Sequence, residues 1–412
     1  MQVALEPIIS DPQIDISQGN NQRQLSISVS ALAEPTDRQL PLNLCLILDH
    51  SGSMKGTPLN TVKQAARELV KSLKPEDKLS IVSFNHQAEV IVPCSTVLDP
   101  SEIFAKIDKL EAVGGTAIDA GIKLGITQLI EGKQDRVSHA FILTDGENEH
   151  GDNERCLKLA GFATESNITL NTLGFGEHWN QNVLEKIADT AAGTLAYIAE
   201  AAQAVSEFGR IFNRMQSVGL TNAYLQIQLQ PKVRLAELKP IAQVAPETIE
   251  LTIEDEGSLS IVRLGDLMKD LSRVILVNTY IGQLAPGEQS IATLQIRYDD
   301  PARGLTGLLT PSFNVQVNVV NNPQAATDPN VQQHTLALAK YRQTQLAEQK
   351  LQAGDRSGAA TLLQTAAKTA LQMGDMSAAT VLQNNATILQ SGENLSETEK
   401  KQTRIASKTV LQ

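Results

Sequence analysis

The sequence predicts an α/β fold: a doubly wound, mostly parallel sheet inserted into a β-sandwich and followed by a small α-helical C-terminal region. Strand and helix signals alternate between residues 40 and 217, which is typical of a parallel sheet covered by helices. The flanking segments instead alternate apolar and polar residues with a period of two, as half-buried strands do. From Pro323 onward, Ala, Gln and Leu recur at helical spacing.

The α/β region, predicted over residues 40–217, begins with the apolar run Leu42 to Leu48, which indicates a buried strand. Thr57-Pro58 then favours a helix start, because proline is tolerated at the first helical position. The further predicted strands are 79–84, 88–97, 137–144, 168–175 and 194–198, of which 88–97 is expected to be an antiparallel edge. The predicted helices are 62–73, 103–110, 118–130, 156–165, 183–192 and 204–215.

The predicted sandwich strands both precede and follow the α/β region in the sequence. Those after it are predicted at 225–229, 249–253, 274–278, 291–298 and 315–319. Only one or two strands, around 25–29, precede it, and so few strands cannot form a stable sheet alone. We therefore expect residues 1–39 to join residues 218–322 in one sandwich of about seven short strands.

The C-terminal region, residues 323–412, contains a weak repeat. Gln352-Ala353-Gly354-Asp355 and Gln372-Met373-Gly374-Asp375 stand twenty residues apart. In each copy the glycine can end one helix in a left-handed conformation and the aspartate can cap the next helix. The predicted helices run over 331–353, 356–373, 376–390 and about 396–410, as a small bundle.

The composition of the chain disfavours some classes of partner and some cellular compartments. The formal net charge is −11, from 35 Lys and Arg against 46 Asp and Glu, which argues against a nucleic-acid partner. Cys45, Cys94 and Cys156 form no pairing framework, so a reducing compartment is favoured. No apolar run is long enough to span a bilayer, and the N-terminus lacks a signal-peptide pattern. We expect a cytoplasmic protein without membrane insertion, with a precursor whose signal has been trimmed as the alternative.

Oxygen-bearing side chains follow two predicted strands and a Gly-Gly pair. Asp49-His50-Ser51-Gly52-Ser53 comes after the first strand, Thr116 after Gly114-Gly115, and Asp145 at the end of the strand 137–144. Ligands bind at the carboxyl ends of strands in open α/β sheets, so these groups are expected to converge. Oxygen donors without nitrogen or sulfur suit a hard cation such as Mg²⁺. The candidate metal ligands are Asp49, Ser51, Ser53, Thr116 and Asp145.

A metal held mostly by neutral hydroxyl groups keeps much of its charge. If Asp49 and Asp145 act largely through bound water, an exchangeable position faces solvent and can accept a carboxylate from a partner. The alternative is that each residue has only a local role, Ser51 and Ser53 capping the next helix and Asp145 closing a turn. That alternative explains each residue singly but does not explain their convergence.

This pattern resembles the metal-ion-dependent adhesion site of the von Willebrand factor type A family: Asp-x-Ser-x-Ser, a distant Thr and a distant Asp. The sequence around these residues is also similar to the family's, over Leu46 to Met54, Gly114-Gly115-Thr116 and Leu143 to Gly146. The resemblance covers residues 40–217 and implies a Mg²⁺-dependent protein-binding domain, with Mn²⁺ or Ca²⁺ as alternative ions. The flanks resemble, more loosely, bacterial stand-alone proteins of this family. Ala117 departs from the family pattern, since many relatives carry Asn there.

Three residues form the expected rim of the partner site: His50, Glu147 and Glu149. The two glutamates belong to the acidic loop 145–154, which is interpreted as a solvated loop, with a second cation site as the alternative. Such a rim would repel an acidic ligand, so the expected partner is a protein that presents an Asp or Glu carboxylate near basic residues. Metal-dependent self-association is a further possibility, because an acidic loop of a second copy could supply the carboxylate.

The leading hypothesis is a non-enzymatic module that acts as scaffold or regulator of a protein assembly. The alternatives are an accessory subunit of an AAA-type ATPase, as in chelatase-like complexes, and a metal-assisted hydrolase. The chain lacks a nucleotide-binding motif of its own, and it lacks HExxH and GxSxG. No dedicated His or Lys base stands in the motif segments, which disfavours the hydrolase.

Overall fold

The computed structural model describes residues 2–33, 39–198, 201–269, 271–324 and 326–408. The chain divides into two compact units, and the second interrupts the first in sequence. The first comprises residues 1–33, 222–298 and 307–412, and the second comprises residues 34–221 and 299–306. Residues 34–38, which adjoin the boundary predicted at residue 39, lie outside the described part of the chain.

The strands are, in chain order, β1 (Gln2–Ile9), β2 (Gln13–Asp15), β3 (Asn20–Leu32), β4 (Leu42–Asp49), β5 (Lys78–Phe84), β6 (Ala88–Thr96), β7 (Val137–Thr144), β8 (Thr169–Phe175), β9 (Leu195–Ile198), β10 (Val218–Leu229), β11 (Val233–Leu235), β12 (Ile241–Ala245), β13 (Ile249–Glu250), β14 (Ile253–Glu256), β15 (Leu259–Met268), β16 (Arg273–Gly282), β17 (Gly287–Asp300), β18 (Leu305–Leu309) and β19 (Phe313–Val320). The α-helices are α1 (Thr57–Ser72), α2 (Pro100–Asp108), α3 (Ile118–Gly132), α4 (Asn153–Glu165), α5 (Gln181–Thr190), α6 (Ala201–Gln216), α7 (Pro329–Gln352), α8 (Arg356–Gln372), α9 (Met376–Gln390) and α10 (Glu397–Lys408).

The α/β unit is built on one sheet with the strand order β6-β5-β4-β7-β8-β9. Neighbouring strands run parallel, except that β6 pairs antiparallel with β5, so the predicted antiparallel edge is confirmed. Every residue of β4, β7 and β8 is buried, which explains their continuous apolar runs. One face of the sheet packs against α3, α4 and α5, and Trp179 lies within that core. The fold predicted for this region is confirmed.

The first unit contains two sheets that combine strands from both ends of the chain. One has the order β1-β3-β16-β12-β13, with β11 on β16; the other has β14-β15-β10-β17-β19-β2, with β18 on β17. The N-terminal segment contributes to both, since β3 pairs with β16 and β2 pairs parallel with β19. The prediction of about seven strands is too low, because two- to five-residue strands such as β11 and β13 are too short to show an alternating pattern.

The four C-terminal helices form a closed bundle in the same unit. Each helix contacts the next, and α10 also contacts α7. The N-terminal half of α7 packs on β12 and β16 through a buried apolar cluster that includes Val331, Leu338 and Leu276. The predicted helix bounds agree to within about two residues, and residues 409–410 of the last predicted helix lie outside the described residues. None of the described helices is both long and apolar enough to cross a membrane.

Candidate metal centre

The sheet topology places the predicted ligands at one edge. Asp49 is the last residue of β4, and Asp145 directly follows β7, its parallel neighbour. Ser51 and Ser53 lie in the turn after β4, while Thr116 lies two residues before the start of α3. Because the carboxyl ends of parallel strands meet, these three segments converge.

A chain of hydrogen bonds connects the carboxylates and the serines. The Ser51 and Ser53 hydroxyl oxygens lie 3.1 Å apart, and the Ser53 hydroxyl donates to Asp145 Oδ1 at 2.7 Å. Asp49 Oδ1 accepts the Ser51 backbone N–H at 2.8 Å, and Asp49 Oδ2 accepts the Thr144 hydroxyl at 2.6 Å. Thr144 thus fixes the Asp49 carboxylate, although its role is not evident from the motif.

Thr116 completes the group. A Cβ atom built on Gly146 would lie 3.3 Å from Thr116 Oγ1 and 3.6 Å from Ser53 Oγ, so the two hydroxyl groups converge over that glycine. Thr116 is only 4% exposed, whereas Ser53 is exposed to solvent. All five predicted ligands are therefore brought together, and the cluster opens to solvent on the Ser53 side.

Two carboxylates in this cluster, those of Asp49 and Asp145, are buried. Burial raises the pKa of Asp49 to about 6, although hydrogen bonds from Thr144 and Ser51 oppose the shift. Burial also raises the pKa of Asp145, against the hydrogen bond from Ser53 and the charge of His178. Neither forms an ion pair with any described residue. Two buried acids beside three hydroxyl oxygens fit a hard divalent cation, which would neutralise them and complete its shell with water.

The donor set is an unusual one for a metal. Among the residues that the structure describes, no group of three or more His, Cys, Asp or Glu side chains could hold a metal ion. A cation at this edge would therefore depend on Ser51, Ser53 and Thr116 as well as on the two aspartates. Substituting one of these hydroxyl groups is therefore a direct test of metal binding at this site.

Backbone hydrogen bonds tie the Thr116 loop to three neighbouring strand ends. The donors and acceptors are Gly52 N–H to Gly114 O at 2.8 Å, Val113 N–H to His50 O at 2.9 Å, Ala117 N–H to Asn85 O at 2.7 Å and His150 N–H to Thr116 O at 2.8 Å. In addition, the Ile118 N–H at the start of α3 donates to the side chain of Asn148 at 2.7 Å. Asn148 thus supports the loop where Ala117 has no polar side chain. The sequence offered no signal for this role, because Asn148 belongs to a distant loop.

The predicted rim residues have different surroundings. The His50 ring is hydrogen-bonded through Nδ1 to the carbonyl of Glu111 at 2.9 Å. Glu147 and Glu149 are exposed, and a backbone hydrogen bond of 2.8 Å closes the turn between them. Asp152, in the same loop, caps α4 by accepting the backbone N–H groups of the first turn. The loop therefore has the features of a solvated acidic loop.

Among the described residues, the Ser51 and Ser53 hydroxyls are hydrogen-bonded to each other and to Asp145, and not to a histidine. Ser51 lies next to His50 in sequence, but its hydroxyl contacts Ser53, while the His50 ring faces Glu111. A serine nucleophile needs a base within hydrogen-bonding distance, and the only such group in these contacts is the carboxylate of Asp145, which accepts from Ser53 at 2.7 Å. The described residues therefore do not form a Ser–His pair of the kind that serine hydrolases use.

Comparisons with known proteins agree with the fold. A model of the von Willebrand factor type A domain matches residues 43–210, and a model described as the Sll0103-like, C-terminal alpha-helical domain matches residues 329–412. Domains of the first type typically mediate protein–protein interaction, and many bind a divalent metal. Among solved structures, a von Willebrand factor type A protein from Catenulispora acidiphila superposes with a TM-score of 0.83 at 17% identity, covering 100% of this chain and 97% of that one. The ArnB paralog VWA2 from Sulfolobus acidocaldarius superposes with a TM-score of 0.58 at 15% identity, covering 98% of each chain.

Relatives by sequence include one that spans the whole chain. The protein YfbK of Escherichia coli is 28% identical over 242 residues, which cover 57% of this chain but only 41% of YfbK. The protein sll0103 of Synechocystis sp. is 55% identical over 412 residues, covering 100% of this chain and 98% of that relative. The chain therefore belongs to the sll0103 family and combines a von Willebrand factor type A domain with an Sll0103-like C-terminal helical domain.

Proposed function

We propose that this protein is a metal-ion-dependent protein-binding module. The observation that carries the proposal is the pair of buried carboxylates, Asp49 and Asp145, that form no ion pair with a described residue and stand beside converging hydroxyl groups. The residues that would hold Mg²⁺, or Mn²⁺ or Ca²⁺ in its place, are Asp49, Ser51, Ser53, Thr116 and Asp145.

The chain's own residues have distinct parts in this proposal. Asp49 and Asp145 supply the negative charge, and Thr144 keeps the Asp49 carboxylate oriented. The hydroxyl groups supply neutral donors, so the ion would retain positive charge. Bound there, the cation offers a coordination position to a carboxylate oxygen of a partner. Ser53, the exposed member, marks the side from which the partner approaches.

The rim determines which carboxylates are accepted. Glu147 and Glu149 are exposed beside Asp145 and would repel a purely acidic segment. The proposed partner is therefore a protein whose Asp or Glu has Lys or Arg nearby. In this role the protein acts as a scaffold or regulator of an assembly, and we propose that it catalyses no reaction.

Metal binding is the first test. Mn²⁺ titrated calorimetrically into the whole protein should bind once, and Ser53→Ala should weaken its affinity about tenfold or more, because a ligand is lost. Ser72→Ala is the matched control: it removes an exposed hydroxyl whose hydrogen bond is to Glu68 O, far along α1. Equal Mn²⁺ affinity in all three proteins would contradict the proposal, as would the absence of binding by the wild type.

The partner is tested separately. Wild type, Asp145→Asn and Ser72→Ala proteins are immobilised and offered a native extract in Mg²⁺ and then in chelator. A partner should be retained by the wild type and by Ser72→Ala, released by chelator and absent from Asp145→Asn.

Two further experiments test the alternatives. Gel filtration with Mg²⁺ and with chelator detects self-association of the protein. Ester and phosphate substrates supplied with Mg²⁺ test the proposed lack of catalysis. Substrate turnover that Asp145→Asn abolishes would replace this proposal by a hydrolase.

A further inference from the structure

Two histidine rings lie against the glycines that precede Thr116. His86 belongs to the turn between β5 and β6, and its ring occupies the space where a side chain on Gly114 would project. His150 follows β7, and its ring occupies the corresponding space at Gly115. A Cβ atom at either glycine would overlap an imidazole ring, so the two rings can keep these positions only beside glycine. Gly114 also has φ +80°, which disfavours any other residue there.

The same two turns hold the backbone on either side of Thr116. Asn85, next to His86, accepts the Ala117 N–H at 2.7 Å, and the His150 N–H donates to the Thr116 carbonyl at 2.8 Å. Each turn therefore combines one hydrogen bond at residues 116–117 with one ring at residues 114–115. Each ring thus lies on the side of the Gly114–Gly115 backbone that faces its own turn.

Packing stability does not account for these rings. Both His86 and His150 are exposed overall, so neither contributes much to a hydrophobic core. Each ring lies against the segment that carries Thr116, whose hydroxyl converges with Ser53 over Gly146. Residues that orient a metal ligand without touching the metal commonly affect its affinity.

We infer that His86 and His150 are positioning residues, which hold the Thr116 hydroxyl in place for a cation through the Gly114–Gly115 backbone. This inference rests on the proposed metal site. It adds two residues from outside the ligand motif, and it implies that the Thr116 loop is arranged before the ion arrives.

The test is a double-mutant cycle with Mn²⁺ as the probe and the whole protein as the sample. His150→Ala and His86→Ala should each weaken Mn²⁺ affinity about three- to thirtyfold, within or below the range for residues that support a ligand. In a Thr116→Ala background the same substitutions should have no further effect, because the group they position is gone. His150→Phe should keep near-wild-type affinity, since it retains a flat ring against Gly115.

Controls separate this role from general destabilisation. Gln87→Ala, at the exposed neighbour of His86, should leave Mn²⁺ affinity unchanged, and all variants should melt close to the wild-type temperature. If the wild type binds Mn²⁺ and both alanine variants bind it equally well, this inference is overturned while the proposed function stands. An effect that persists undiminished in Thr116→Ala also overturns it. If the wild type binds no Mn²⁺, the inference and the proposed function both fail.

Discussion

Asp49 combines complete burial with a negative charge that no described side chain neutralises. Its two hydrogen bonds, from Ser51 and Thr144, reduce the energetic penalty of burial, yet its pKa is still raised to about 6. A raised pKa means that the folded, metal-free protein holds the proton more tightly than the unfolded chain. Asp49 therefore makes the folded state less stable as the pH rises from about 4 through 6.

Asp49→Asn should accordingly stabilise the metal-free protein at pH 7, by about 1–3 kcal/mol, because it removes a buried charge. The amide can keep both contacts: its oxygen accepts from Ser51, and its nitrogen donates to Thr144, whose hydroxyl already lies 3.4 Å from Gly146 O. Urea unfolding in chelator at pH 7 and pH 5 measures the effect. The gain should shrink by about half at pH 5, where protonation already relieves the wild type. A variant less stable than the wild type at pH 7 would contradict this account.

Metal affinity should fall with pH for the same reason. A group with a pKa of about 6 is mostly ionised at pH 7 and mostly protonated at pH 5. Protons would then compete with the cation, and Mg²⁺ or Mn²⁺ affinity should fall about tenfold between these pH values from Asp49 alone. The raised pKa of Asp145 acts in the same direction. Calorimetry at pH 7, 6 and 5 checks the trend, and an affinity that stays constant would show that neither carboxylate takes part.

The motif was sufficient to predict which side chains converge at the sheet edge, but not the residues that hold those side chains in place. Asp49, Ser51 and Ser53 follow one strand at fixed spacing, so their proximity could be predicted from local sequence. Thr144, Asn148 and the ring contacts of His86 and His150 depend on which loops lie side by side. Such pairings arise from tertiary packing, and a single sequence has no local pattern that reports them.

At the scale of elements, the helix-ending turns of the C-terminal bundle recur three times. The predicted repeat has copies at Gly354 and Gly374, and Leu389-Gln390-Ser391-Gly392-Glu393 is a third. All three glycines have positive φ, between +79° and +91°, as left-handed helix ends require. The third copy was missed because glutamate replaces aspartate and the next helix begins several residues later. The other helix bounds could be predicted, because glycine at a helix end and aspartate at a helix start are local sequence signals. The short sandwich strands have no such local signal.

Two of these turns differ in burial, which gives a matched pair of variants. Asp375 accepts a hydrogen bond from Lys340 at 2.9 Å, and both side chains are almost fully buried. Asp355 forms an ion pair with Lys350 at 2.9 Å, but there both side chains are about half exposed. Both aspartates also cap the following helix. The two turns thus share the same local structure in different surroundings.

Asp375→Asn should lower the free energy of unfolding by about 3 kcal/mol at pH 7, because it leaves Lys340 buried without the carboxylate that faces it. Asp355→Asn should lower the free energy of unfolding much less than Asp375→Asn, since the ion pair of Asp355 is screened by solvent. Burial alone would raise the pKa of Asp375, but hydrogen bonds from Ala378 and Lys340 and the charge of Lys340 lower it. The stability it provides is present above the unfolded pKa and is lost as the pH falls through the folded value, so the gap between the variant and the wild type should narrow below about pH 4. Equal losses from the two variants in urea unfolding would refute the role given to burial.

At the scale of the whole molecule, the chain forms two compact units, and all five candidate ligands lie in one of them. The helical bundle belongs to the other unit, together with the two additional sheets. A cation that binds only the folded state stabilises the segments that hold it. A comparison of the two units therefore tests how far stabilisation by the metal extends along the chain.

Hydrogen–deuterium exchange with Mg²⁺ and with chelator addresses this question. Peptides from the end of β4, the Thr116 loop and the loop after β7 should exchange more slowly in Mg²⁺, because their backbone hydrogen bonds converge on the site. Peptides from α7 to α10 should exchange at the same rate in both conditions, since none of the candidate ligands lies there. Asp145→Asn should abolish the protection. Slower exchange in α8 or α9 upon addition of Mg²⁺ would instead indicate that the metal site is coupled to the helical bundle, and the bundle would then be the place to seek a regulated contact.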